Sequence, residues 1–297
     1  MAVPTYAIVE APSRLGLSAE GVELLPEALL AAGLSERLGA AHADRLVAPA
    51  HDPRVDSGTG MLNPVAIRDF SARLADAVGA SIDRGEFPIV LGGDCSILLG
   101  NALALRRRGR YGLLFLDGHS DFYEPETDPS GEAASMDLAL VTGRGPEILT
   151  NLDGLRPLVR DKDVVVFGSR DATVAAADGS EPLPADLRAM DLVTVRERGM
   201  ETAARDAIAH LEREDGPAGF WIHLHVDVLD DAVMPAVDYR LPGGLSWEEL
   251  SAVLRSAVAS PSAVGLEVTI FNPTLDPKGT IARDLVDVLV AALLPRP

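Results

Sequence analysis

Three short stretches carry residue types able to do chemistry, and each follows an apolar run. In Ile89-Val90-Leu91-Gly92-Gly93-Asp94-Cys95-Ser96 two glycines permit a tight, unobstructed turn ahead of a carboxylate and a thiol. Leu113-Leu114-Phe115-Leu116-Asp117-Gly118-His119-Ser120-Asp121 closes on two carboxylates flanking an imidazole, which alternate spacing can bring to one point. In Ile222-His223-Leu224-His225-Val226-Asp227-Val228-Leu229-Asp230-Asp231 the two-residue period puts His223, His225 and Asp227 on one face of a strand. Each stretch alone has a plain explanation: a glycine pair is usually a turn, and His223 with His225 can be a satisfied interior pair. The Asp-x-His-x-Asp triplet is harder to explain that way, because unpaired ionisable groups at one point are costly unless a cation or water neutralises them. Metal binding is the chemistry this pattern predicts.

Apolar segments rich in β-branched residues recur at Tyr6–Glu10, Phe87–Leu91, Gly112–Leu116, Val164–Phe167, Leu192–Val195, Phe220–Val226 and Ala263–Ile270, and read as buried strands. Helical periodicity fills Pro64–Arg84, Ile97–Arg107, Ala203–Glu214, Trp247–Ala259 and Ile281–Leu294. Asn63 before Pro64 reads as an N-cap, and Ser246 with Glu249 as a capping box. Asp171–Pro184, small and acidic, reads as a long loop. Alternating strands and helices predict a mostly parallel sheet with helices on both faces, in one domain over residues 1–297 without internal repeats. Ligands of such sheets sit beyond the carboxyl ends of the strands, where the three polar stretches fall.

Composition narrows the partners. The 297 residues are 47% apolar, enough for a sizeable core, and 45 acidic against 26 basic residues give a net charge of −19. The one basic cluster, Arg106 to Arg108 with Arg110, does not offset that field, so neither nucleic acid nor an anionic membrane is an expected partner. A single cysteine cannot build a disulfide framework, and the first twenty residues lack a leader's basic start and apolar core. The expectation is a cytoplasmic protein acting on a small molecule.

Together the three motifs resemble the ureohydrolase family of arginase, agmatinase and formiminoglutamase, whose members look like Gly-Gly-Asp-His-Ser, Asp-Ala-His-x-Asp and Ser-x-Asp-x-Asp-x-x-Asp-Pro in the same order and at about these separations. The resemblance implies an α/β fold, a three-layer α/β/α sandwich around an eight-stranded, mostly parallel sheet. It also implies a homo-oligomer, trimer or hexamer, and two manganese ions bridged by carboxylates. Asp117, His119, Asp121 and Asp227 match metal ligands, while Cys95 stands in place of a histidine and His225 in place of an aspartate that bridges both metals. A neutral imidazole has one lone pair to offer, so a bridge and a charge are lost. Thiolate and added imidazole shift preference toward zinc, nickel or iron, leaving one or two divalent ions as the expected cofactor.

The substrate positions diverge further. Ser130 keeps register with Asp121, and the same register puts Ala134 where arginase-like members carry a histidine proton shuttle. Ile270 replaces a guanidinium-binding glutamate, and Thr173 replaces an aspartate that reads an amino group. Arg240 offers a planar fork for a carboxylate, or an ion pair with Asp238. Tyr123, Glu124 and Glu132 follow the triplet, and Glu132 can stand in as general acid. Asp94 is expected to support the ligands rather than join them; His42, His51 and His210 are read as ordinary surface or helix residues.

These features predict a metal-dependent hydrolase of a linear carbon–nitrogen bond, in an amidine, hydroxyguanidine, formimino or amide, with Asp121 orienting the nucleophile. A noncatalytic member with a structural or ligand-sensing centre is the competing expectation. A mononuclear zinc site of His119, His225 and Asp227, leaving Cys95 as a free nucleophile, is a third.

Overall fold

A computed structural model describes residues 4–294 of the chain. Among the described residues eight strands form one sheet: β1 (Tyr6–Ala11), β2 (Ala41–Arg45), β3 (Phe87–Gly92), β4 (Gly112–Leu116), β5 (Val164–Phe167), β6 (Arg188–Met190), β7 (Phe220–His225) and β8 (Ala263–Thr269). Their order is β2-β1-β3-β8-β7-β4-β5-β6, and every pairing is parallel, so the sheet is more uniform than the expected mostly parallel one. Helices cover both faces, giving the three-layer α/β/α sandwich.

Side-chain alternation divides the core in two. Ile8, Leu91, Leu114, Phe167, Ile222 and Val268 pack toward the helices Leu25–Ala31, Met200–Leu211, Trp247–Val258 and Thr280–Leu293. Val9, Val90, Phe115, Val166 and Trp221 pack toward Pro64–Asp83 and Leu98–Arg106. The chain jumps from β3 to β4, three places across the sheet, and β7 and β8 later fill the gap. The carboxyl ends of four adjacent strands thus come together, and they carry the three polar stretches.

The segment Leu192–Val195 is not a strand but the start of a helix, Leu192–Arg198, because the Asp191 carboxylate caps it by accepting from the Thr194 amide at 2.7 Å. Its apolar residues bury a helical stripe at Leu192 and Val195. The actual neighbouring strand is Arg188–Met190, too short and polar to read as an apolar run, and the exposed edge strand Ala41–Arg45 escapes for the same reason. Asn63 does not cap the helix that Pro64 opens. It sits at φ 46°, and its side chain accepts from the Asp52 amide and donates to the Leu15 carbonyl. The capping box of Ser246 and Glu249 forms in full. Within Asp171–Pro184, expected as loop, Ala172–Ala177 is helical.

The turn after β3 is built on contact distances only glycine allows. A Cβ on Gly93 would lie 1.7 Å from the Ser13 carbonyl oxygen, which accepts from the Asp94 amide at 2.9 Å. The Gly93 carbonyl in turn accepts from the Ile270 amide at 2.8 Å, tying the ends of β1, β3 and β8. Gly93→Ala is expected to lower stability by about 3 kcal/mol, because backbone on both sides must shift. Chemical denaturation would show a reduced midpoint; an unchanged midpoint would contradict this packing.

Candidate metal centre

The strand ends deliver six possible ligands in two groups, each with its donor atoms within 4.8 Å of one another: Cys95, Asp121 and His225 in one, Asp117, His119 and Asp227 in the other. The Asp-x-His-x-Asp triplet therefore does not close on a single point. Asp121 turns away at φ 42°, a left-handed conformation that aspartate tolerates, and joins the thiol brought by the glycine turn. Nor does strand alternation aim Asp227. β7 ends at His225, and the one-turn 3-10 helix Val226–Val228 carries Asp227 back beneath it.

Asp227 lies between two rings, its Oδ2 2.8 Å from His119 Nδ1 and its Oδ1 2.7 Å from His225 Nδ1, with the Gly118 amide donating to Oδ1 at 3.1 Å. The ring contacts are close without hydrogen-bond alignment, so Asp227 Oδ2 and His225 Nδ1 remain unpartnered, as do Asp117 Oδ2 and Asp121 Oδ2. All four atoms are buried. Oxygen and nitrogen lone pairs left this way are expensive unless a cation collects them, and a set of carboxylate, imidazole and thiolate donors suits divalent transition metals. The residues fit such ions.

The electrostatics agree. Burial, reinforced by the Asp227 charge, pushes Asp117 well above the usual carboxylate range, and burial with the Asp117 charge does the same to Asp121. Burial also acts to raise Asp227, but the His225 and His119 rings outweigh it and hold this carboxyl well below the range. His119 is pulled well above its ordinary value because Asp227 and Asp117 overcome the desolvation that would lower it. Burial first, then the Asp137 and Asp121 charges, lifts the Cys95 thiol far above normal, and its Sγ donates to the Ala134 carbonyl at 3.2 Å. Cys95 is thus no free low-pKa nucleophile. The other imidazole of the stretch, His223, is turned to Glu267 rather than to the His119–Asp227–His225 group.

A cavity of about 420 Å³ opens onto His119, Asp121, His225 and Asp227, walled by Leu17, Tyr123, Ser130, Glu132, Ala134 and Tyr239, with Ile270 also lining it. Glu132 Oε1 accepts from the Ser18 amide at 2.9 Å and Oε2 from the Tyr239 hydroxyl at 2.7 Å, so both oxygens serve as acceptors. Ile270, buried at φ 72°, takes a conformation rare for a β-branched residue, held by the hydrogen bond its amide donates to the Gly93 carbonyl.

Two expected substrate contacts lie elsewhere. Arg240 Nε pairs with Asp231, not Asp238, and its half-exposed side chain does not line the cavity; Asp238 instead accepts from Asn272. Thr173 is exposed at the start of the helix Ala172–Ala177, and Val174 faces the cavity in its place. Asp94 accepts from the Ser13 hydroxyl and the Ser96 amide, bracing the glycine turn as expected.

A family model described as the arginase family matches residues 4–294. The chain belongs to the arginase family. An arginase of Bacillus caldovelox is 30% identical over 296 residues, covering 95% of this chain and 96% of that one. The solved native structure of arginase from Bacillus caldovelox superposes with a TM-score of 0.87 at 26% identity, covering 99% of each chain. Formimidoylglutamase from Bacillus subtilis has a TM-score of 0.74 at 19% identity over 99% of this chain and 87% of its own, a likeness of fold alone. Membership in the arginase family implies a divalent metal centre and hydrolysis of a carbon–nitrogen bond.

Two residues escaped sequence reasoning. Arg170 is largely buried, and its Nη2 donates to the carbonyls of Asp227, Leu229 and Leu241 at 2.8, 3.1 and 2.8 Å, clamping the loop that carries a ligand. Asp137, wholly buried, lies near the metal groups with neither oxygen partnered. The only signal for it was a carboxylate inside the apolar run Met136–Val141.

The pKa directions fix a sign for pH. Asp117, Asp121 and His119, all raised, keep protons that the unfolded chain releases. Their contribution to stability is therefore greatest at low pH and is lost as pH rises from about 4 for the carboxyls and about 6.5 for the imidazole. Asp227, lowered, contributes in the opposite sense and loses its share on acidification. Because metal must displace the retained protons, thermal unfolding should show little stabilisation by added Mn2+ or Zn2+ at pH 5. At pH 8 the gain should reach about 2.7 kcal/mol at a hundredfold excess over Kd. Equal stabilisation at both pH values would count against these assignments.

Proposed function

We propose that this protein is a metal-dependent hydrolase of a linear carbon–nitrogen bond, acting on an amidine, hydroxyguanidine, formimino or amide group rather than on arginine. One observation carries the reading: two residues of each donor group, Asp121 with His225 and His119 with Asp227, line a single cavity. The Cys95–Asp121–His225 group favours a softer ion such as zinc, nickel or iron, and the Asp117–His119–Asp227 group suits manganese. Ions bound there supply the Lewis acidity that activates water toward a planar carbon.

The remaining chemistry falls to side chains. Asp121, with a free Oδ2 and a place on the cavity wall, orients the attacking water and accepts its proton. Glu132, which accepts from Ser18 and Tyr239, takes a proton from solvent and delivers it to the departing amine, while Asp121 gives the water's proton back to solvent, so that the step balances. Ser130 lines the rim and offers its hydroxyl to the substrate.

Specificity against arginine is supported by what the wall lacks. Ile270 cannot accept hydrogen bonds from a guanidinium, and Ala134 cannot shuttle a proton. The charged lining residues, Asp121, Asp128, Glu132, Asp178 and Asp227, are all acidic apart from the His119 and His225 rings, so no arginine or lysine among the described residues there answers an α-carboxylate.

The test is a substrate panel read by amine or ammonia release from protein loaded with Mn2+ or Zn2+. Turnover of a carboxylate-poor amidine or amide is expected, with Asp121→Asn slower by about 10³-fold and Glu132→Gln by about 10²-fold. Efficient cleavage of arginine would overturn the specificity. No turnover from metal-loaded protein, with Asp117→Asn dissociating an oligomer, would favour the structural role instead.

A further inference from the structure

Behind the cavity, on the face of the sheet covered by Pro64–Asp83 and Leu98–Arg106, lies a second polar knot that the proposed reaction does not use. Its anchor is Glu267 on β8, directly opposite His223 of β7 in the sheet. Glu267 Oε1 accepts from Trp221 Nε1 at 3.0 Å and lies 2.9 Å from His223 Nδ1, while Oε2 accepts from Asn101 Nδ2 at 2.6 Å. Indole and amide nitrogens can only donate, which leaves Glu267 as the acceptor throughout and puts the His223 proton on Nδ1. The ring plane is fixed as well, stacked on Phe115 with centroids 4.6 Å apart and planes 8° apart. The Nε2 lone pair of His223 is therefore free and aimed.

It is aimed at two carboxylates. Asp117 Oδ2 and Asp137 Oδ2 each lie 3.9 Å from His223 Nε2, too far for a hydrogen bond and about the separation at which an ion with bonds of about 2.0–2.2 Å touches the ring nitrogen and a carboxylate together. All three side chains are wholly buried, and His223 Nε2, Asp117 Oδ2 and both oxygens of Asp137 lack any hydrogen-bond partner. The arrangement of a carboxylate fixing one ring nitrogen so that the other presents its lone pair is how proteins prepare a metal-binding imidazole.

We propose that His223, Asp137 and Asp117 form a third, deeper cation station, taking a divalent transition ion such as Zn2+ or Mn2+. It shares Asp117 with the rim groups but stands on His223 and Asp137, which neither rim group contains. An ion bound there would hold Asp137 in its charged form, adding an anionic ligand beneath the imidazole of His225.

Anomalous diffraction from crystals of the full chain soaked in Zn2+ and in Mn2+, recorded at both edges, tests it. A peak about 2.0–2.2 Å from His223 Nε2 and from an Asp137 oxygen, distinct from the rim peaks, is expected. In solution the wild-type chain should bind one equivalent more than Asp137→Asn. Peaks at the rim groups alone, or full metal content in Asp137→Asn, would overturn this station and leave the proposed hydrolase intact. Absence of peaks at every group would remove both. Should Asp137→Asn fail to fold, the wild-type map alone decides.

Discussion

The whole arrangement depends on concentrating negative charge where water is scarce. Asp117, Asp121, Asp137 and Asp227 are buried within the reach of one another's fields, and each carboxyl other than Asp227 is driven toward its neutral form. Asp227 stays charged because His119 and His225 flank it. A chain that gathers such groups gives up stability unless cations or protons occupy the site, so the scaffold around it must be rigid enough to withstand the repulsion.

That rigidity comes from parallel strands ending side by side. Four adjacent strands present their carboxyl ends together only because the chain skips from β3 to β4 and returns with β7 and β8. The turns beyond them are then locked by contacts that use none of the candidate ligand side chains: Gly93 against Ser13, Ile270 against Gly93, and Ser120 on the Asp171 carboxylate. Arg170 completes the frame. Burial acts to lower its pKa, yet its guanidinium spends its donors on carbonyls of the segment that follows Asp227, so a buried cation stiffens the same loop that supplies an anionic ligand.

The residues around the candidate metal centre differ in character from one side of it to the other. His225 adds an imidazole to the floor of the cavity, and the buried Cys95 thiol stands beside it among the candidate donors. Asp137 and Glu267 lie on the opposite side of these ligands, with His223 between them. On the open side, Ile270, Ala134 and Tyr239 give the cavity an apolar and phenolic wall, with Asp128, Glu132 and Asp178 among its acidic lining residues.

Much of this was legible in the residues. Apolar β-branched runs disclosed six of the strands, since a parallel strand buried on both faces is nearly continuous in hydrophobicity, and the polar residues following those runs are the six candidate donors that the fold gathers into two groups. Leu192–Val195 misled because the same run serves a helix once Asp191 caps it, and β2 and β6 were hidden because edge strands need little apolar surface. What only the tertiary structure decided is the division of the candidate donors into two groups, the isolation of Arg240 and Thr173 from the cavity, and the place of Asp137. Spacing along a chain states which side chains share a strand or a turn; it is silent on which distant strand lies alongside, and Asp137 meets His223 and Asp117 only because the sheet order brings β4 and β7 together beneath it.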